Sequence, residues 1–102
     1  MKKIVTGIFA VSALLSMSQL AIAGDAAAGK EKSQACVSCH GMNGKSNNPN
    51  NPSLAGQQKN YLIKAMKDYR DGKRKDPMMN SMMSSLSDQD IENLAEFYSS
   101  VK

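Results

Sequence analysis

This 102-residue chain contains one histidine, two cysteines and no tryptophan. A structural zinc site normally has four ligands, and the three available side chains stand too close together to enclose a metal ion. The sequence also lacks the strand-like alternation of apolar and polar residues that would surround a thiol–disulfide redox centre in a βαβ unit. No stripe of basic residues interleaved with aromatic residues is present, so we expect no nucleic-acid partner.

The scarce side chains all lie in one short motif, Cys36-Val37-Ser38-Cys39-His40. Two thiols three positions apart, with a histidine directly after the second, are typical of a c-type haem attachment site. In that chemistry each sulfur adds to one haem vinyl group, and the adjacent imidazole becomes an axial ligand of the iron. We therefore predict one covalent haem c, bound through Cys36 and Cys39, with His40 on the iron.

Residues 1–23 have the organisation of a secretory signal peptide. Two lysines are followed by a mostly apolar stretch over residues 4–17, and an Ala-x-Ala cleavage pattern ends at Ala23. The apolar stretch is short for a membrane span, so we expect cleavage after Ala23 rather than an uncleaved anchor. The expected mature protein, residues 24–102, would be periplasmic and without stable membrane insertion.

Residues 24–102 are predicted to form one small domain with a thin core. Chains of fewer than roughly 80 residues usually need a staple such as a metal or a disulfide. A buried, covalently attached haem would act as that staple, because it offers a large apolar surface on which helices can pack. We therefore expect the chain without haem to be largely unfolded.

Hydrophobic periodicity and capping residues predict an all-α fold with three main helices, over residues 25–35, 57–71 and 88–100. The segment 41–56 is rich in glycine, proline and asparagine, so it is predicted to be a loop that wraps one edge of the haem. Residues 73–85 are predicted to be irregular.

Four methionines between the second and third predicted helices are candidates for the other iron ligand. Methionine ordinarily fills gaps in a core, but these follow a proline, and no imidazole or thiolate remains downstream. A thioether would close the iron and raise its potential, whereas an open face would permit ligand binding or oxygen chemistry. Spacing alone does not choose among Met78, Met79, Met82 and Met83.

With these features the chain resembles the class I c-type cytochromes, in particular the small periplasmic monohaem cytochromes of the c553 type and a single half of the dihaem cytochromes c4. The resemblance covers essentially all of residues 24–102. It is carried by the attachment motif with Gly41 and by residues 52–57, 61–62, 69–74, 79–88 and 94–98.

The resemblance implies the cytochrome c fold, in which three main helices wrap around one covalently attached haem. It assigns His40 as the proximal ligand. It assigns Met79 as the distal ligand, since that residue stands seven positions before Leu86. The neighbouring methionines at positions 78, 82 and 83 remain alternatives.

The resemblance also implies two supporting contacts. The backbone carbonyl of Pro52 would accept a hydrogen bond from Nδ1 of His40 and so orient the ring. Gly29 would meet Phe97 where the first and last helices cross, which would explain a glycine inside a helix.

The function implied by the resemblance is that of a monomeric periplasmic one-electron carrier, not an enzyme, which shuttles electrons between redox partner proteins. The alternatives are a haem subunit of a larger oxidoreductase complex and an open-site haem sensor or enzyme. Five basic residues could form a rim that steers an acidic partner, although ordinary solubilising charge explains them equally well. They are Lys45, Lys59, Lys73, Arg74 and Lys75.

Overall fold

The structure, a computed structural model, describes residues 23–102, so the predicted signal peptide lies outside the described residues except for Ala23. The described part is helical and contains no strand, which confirms the all-α prediction. No helix in it is long and apolar enough to cross a membrane. The α-helices are α1 (Ala26–Lys32), α2 (Val37–His40), α3 (Lys59–Arg70), α4 (Pro77–Met83) and α5 (Asp88–Ser100).

The first predicted helix is shorter than expected in its α-helical part. Asp25 caps α1 by accepting hydrogen bonds from the backbone N–H groups of Ala27 and Ala28 at 2.9 and 3.2 Å. The chain then tightens into a 3₁₀ turn over Ser33–Cys36. This turn joins α1 directly to α2, which carries the end of the cysteine–histidine motif.

The prediction that residues 73–85 are irregular is wrong, because this segment contains α4. Asp76 is the N-cap, and its carboxylate accepts from the N–H groups of Met78 and Met79, both at 3.1 Å. Pro77 occupies the first helical position, where its fixed φ suits a helix and no N–H is needed. The sequence contains two signals for this helix. Asp76-Pro77 is a typical helix start, and the four methionines have the spacing of residues on one helix face.

Helices α1 and α5 cross closely at Gly29, as the resemblance implied. A Cβ atom on Gly29 would lie 2.0 Å from the carbonyl oxygen of Asn93 and 2.9 Å from Cβ of Phe97. Only glycine permits this approach. Because the cysteine–histidine motif begins just after α1, the crossing fixes where that motif lies relative to α5.

Replacing Gly29 with alanine should destabilise the mature protein. Alanine has the better helix propensity by about 1 kcal/mol, but overlap with the backbone of α5 costs about 3 kcal/mol. We expect a net loss of about 2 kcal/mol in the free energy of unfolding, measured by urea titration. The control Ala27→Ser, on the exposed side of α1, should cost about 0.5 kcal/mol. A Gly29→Ala protein as stable as wild type would show that the crossing is not tight.

Candidate haem-binding site

A cavity of about 480 Å³ lies between the cysteine–histidine segment, the 50–57 loop and helices α3, α4 and α5. Its walls are mainly apolar, with Leu62 and Met66 from α3 and Leu94 from α5. Every predicted site residue lines this one cavity. They are Cys36, Cys39, His40, Pro52, Met78, Met79, Met82 and Met83.

One wall of the cavity holds the imidazole in a fixed tautomer. His40 is 8 % exposed, and its Nδ1 lies 2.8 Å from the carbonyl oxygen of Pro52. A carbonyl can only accept, so Nδ1 carries the hydrogen and donates it. In the neutral imidazole Nε2 then keeps its lone pair, which is the arrangement that metal-binding histidines use.

The loop that supplies Pro52 is tied to the rest of the structure through its backbone. The carbonyl oxygen of Gly44 accepts from the N–H groups of Leu54 and Ala55 at 2.8 and 3.1 Å. The N–H of Gly56 donates to the carbonyl of Tyr98 on α5 at 2.9 Å. Gly44 has a φ of +77°, and a Cβ there would lie 2.7 Å from the Tyr98 ring. The loop is thus anchored against α5 on both sides of the residue that orients the imidazole.

The two cysteines form no disulfide with each other and stand in different surroundings. Cys36 is half-buried and Cys39 is exposed. Burial, the largest influence, raises the pKa of the Cys36 thiol, and the nearby Cys39 also raises it. The pair thus lines the cavity with one sheltered and one accessible sulfur.

The opposite wall of the cavity is formed by α4, whose four methionines differ in exposure. Met83 is 4 % exposed and belongs to the hydrophobic core, whereas Met78 is 64 % exposed. Met82 is 37 % exposed, and Met79 is half-buried against the core. The four candidate iron ligands therefore differ in how deeply they are buried, a distinction that their spacing in the sequence does not provide.

Some of the basic side chains expected to form a rim make contacts within the protein, and others are exposed. Nζ of Lys59 lies 2.9 Å from a Glu96 carboxylate oxygen and 3.8 Å from one of Glu92, so this side chain is paired with α5. Arg74 lines the cavity, with its guanidinium 4.7 Å from the centre of the Tyr69 ring. Lys45, Lys73 and Lys75 are exposed.

Tyr98 is a cavity residue that the sequence did not single out. It is 2 % exposed, and its hydroxyl has no hydrogen-bond partner among the described residues. Burial, the largest cause, raises the pKa of this hydroxyl well above its usual range. An unpaired buried hydroxyl costs about 1–3 kcal/mol, so we expect a partner for it in the mature protein.

These residues fit a covalently attached haem. Two thiols and an imidazole with a free Nε2 stand on one side of the cavity, and thioethers stand on the other. The walls between them are apolar, as a porphyrin requires.

Comparisons with known proteins point the same way. The family model described as Cytochrome c matches residues 26–102. Cytochrome c4 of Pseudomonas aeruginosa is 45 % identical over 95 residues, which cover 90 % of this chain and 47 % of that protein. Cytochrome c-554(548) of Halomonas halodenitrificans is 48 % identical over 81 residues, which cover 76 % of this chain and 98 % of that protein.

A solved structure also resembles the fold. The reduced recombinant cytochrome c4 from Pseudomonas stutzeri is 44 % identical, with a TM-score of 0.75. The match covers 78 % of this chain and 47 % of that one. The chain therefore spans about half the length of the cytochrome c4 relatives that it matches, but nearly the whole of the Halomonas protein.

Substituting Tyr98 with phenylalanine tests whether its hydroxyl has a partner in the mature protein. Removing a hydroxyl that forms a hydrogen bond there should lower the free energy of unfolding by about 1 kcal/mol. Urea unfolding of the haem-containing protein measures this. Tyr61→Phe is the matched control, because Tyr61 is exposed and its change should stay within about 0.5 kcal/mol. A Tyr98→Phe protein more stable than wild type would show that the hydroxyl stays unpaired.

Proposed function

The chain belongs to the cytochrome c family and contains covalently bound haem c, and we propose that it is a periplasmic one-electron carrier. The observation that carries this proposal is a single cavity lined by Cys36, Cys39, His40 and Met79. These are the groups needed to attach a haem and to ligate its iron from both sides. We propose no catalytic reaction for the chain.

The proximal side is proposed to work through three residues. Cys36 and Cys39 would form the two thioethers, and Nε2 of His40 would bind the iron. The hydrogen bond from Nδ1 to Pro52 supports this, because it fixes the ring orientation and increases the basicity of the imidazole. Attachment through Cys39 would place the haem beside His40, because the two residues are adjacent on α2.

The distal ligand is proposed to be Met79. Met79 lines the cavity and is half-buried, and it is not one of the fully buried core residues. Its sulfur can therefore face the cavity without removing a side chain from the core. Met83 already packs in the core, and Met78 is largely in solvent. The resemblance gives the same assignment by position.

A haem held in this way supplies an Fe(III)/Fe(II) couple whose potential a methionine ligand raises. The chain's own residues would ligate the iron, exclude water with apolar walls and limit reorganisation of the site. A closed site of this kind suits electron transfer between redox partner proteins, and an open-site sensor or enzyme would need one face free of thioethers. Four methionines of α4 line that face.

The chain is proposed to act as a monomer rather than as a haem subunit of a larger complex. The Halomonas relative, a cytochrome matched over 98 % of its own length, is of similar size to residues 24–102, which supports a single haem domain. Export is proposed to use residues 1–23, with cleavage after Ala23. Contacts with redox partners would be brief, as weak redox encounters bury little surface.

Single methionine substitutions test the ligation that this function requires. Met79→Ala should abolish the sulfur–iron absorption band of the ferric protein and lower its midpoint potential, because the thioether favours Fe(II). The reduced variant should also bind carbon monoxide, which the wild type should not. Visible spectra and a redox titration measure these changes.

Met78→Ala and Met82→Ala are the matched controls and should keep the band. Met83→Ala should keep it too, although loss of a core side chain should cost about 2–5 kcal/mol of stability. If one of these three variants loses the band while Met79→Ala keeps it, the methionine replaced in that variant is the iron ligand. Rapid carbon monoxide binding by the wild type would favour an open-site protein.

A further inference from the structure

We propose that Asn80 is the positioning residue for the iron's sulfur ligand. Its side chain ties the first turn of α4 to the end of α3 and thereby holds Met79 at the cavity. This inference rests on the ligation by Met79 proposed above. It adds a residue that touches neither the cavity nor the iron's proposed ligand atom.

The Asn80 side chain makes three hydrogen bonds to backbone groups. Its Nδ2 donates to the carbonyl oxygens of Tyr69 at 2.7 Å and Arg74 at 2.9 Å. Its Oδ1 accepts from the N–H of Asp76 at 3.0 Å. The three partners lie at the end of α3, in the turn that follows it and at the N-cap of α4. The half-buried amide of Asn80 therefore forms hydrogen bonds with all three parts of the connection between the two helices.

The contact with Asp76 is a capping box displaced by one residue. In the usual box, the third helical residue reaches back to the N–H of the N-cap. Helix α5 follows that pattern, because Asp90 accepts from the N–H of Ser87 at 3.0 Å. In α4 the third helical residue is Met79, whose thioether is only a weak acceptor. The next residue, Asn80, performs this task instead and leaves the methionine side chain available to the cavity.

The backbone of Met79 is held through the same network. Its N–H donates to the carboxylate of Asp76 at 3.1 Å, and the N–H of Asp76 is in turn fixed by Asn80. A helix of seven residues is too short to be stable alone. The position of its first turn must therefore come from contacts outside the helix, and Asn80 supplies two of them, to Tyr69 and Arg74.

The test measures how readily an added ligand displaces the methionine. Imidazole is titrated into the ferric haem-containing protein and followed by loss of the sulfur–iron band. Asn80→Ala should raise the apparent affinity for imidazole about tenfold, which corresponds to about 1.4 kcal/mol. Asn80→Asp keeps an acceptor for Asp76 but cannot donate to Tyr69 and Arg74, so it should raise the affinity at least as much.

Two controls separate positioning from general loss of stability. Ser81→Ala changes the next, exposed residue of α4 and should leave imidazole binding unchanged. Ser87→Ala removes the N-cap of α5 and should lower the urea midpoint without changing imidazole binding. If Ser87→Ala raises the imidazole affinity as much as Asn80→Ala does, the effect is one of stability and the inference is wrong.

Failure of the inference is distinguishable from failure of the proposed ligation. If Met79→Ala loses the sulfur–iron band while both Asn80 variants bind imidazole like wild type, Met79 is the ligand and Asn80 does not position it. If Met79→Ala keeps the band, the ligation itself is wrong, and the role of Asn80 is overturned with it.

Discussion

Most side chains of the core of this small domain also form the wall of its cavity. Of the buried apolar residues in the described part, five also line the cavity: Leu62, Met66, Met83, Leu94 and Tyr98. Burial of apolar surface is the main stabilising term in folding, and close packing is required to realise it. The haem that binds there would therefore complete the hydrophobic core as well as carry the electron.

The two sides of the site are held by different means. On the proximal side, a loop hydrogen-bonded to α5 presents a carbonyl to His40. On the distal side, a short helix is fixed by its N-cap, Asp76, and by the amide of Asn80. Both arrangements rely on hydrogen bonds to backbone groups, which hold the segments that carry the residues we propose as ligands. A site with this rigidity suits a reaction in which only an electron moves.

The sequence was informative where the chemistry is local. The cysteine–histidine motif predicted a group of side chains within five residues, and hydrophobic periodicity with capping residues predicted three helices. The crossing at Gly29, which joins residues far apart in sequence, came from the resemblance to a known family. Helix α4 was missed because its methionines were interpreted as a cluster of possible ligands, and their helical spacing was overlooked.

Features that depend on distant residues could not be predicted from the sequence. Lys59 was placed on a basic rim, but its partner Glu96 is 37 residues away in sequence and lies beside it only in the fold. The displaced capping box likewise requires the turn after α3 to bring two carbonyls to Asn80. The unpaired hydroxyl of Tyr98 follows from burial against the cavity and has no local signature.

We infer that a covalently attached haem organises this fold. The most direct measurement compares residues 24–102 with haem and the same chain carrying Cys36→Ala and Cys39→Ala, purified without haem, by far-ultraviolet circular dichroism during urea titration. We predict a cooperative unfolding transition for the haem protein and little helix with no cooperative transition for the other. A haem-free chain with native helix content and a cooperative transition would contradict the account.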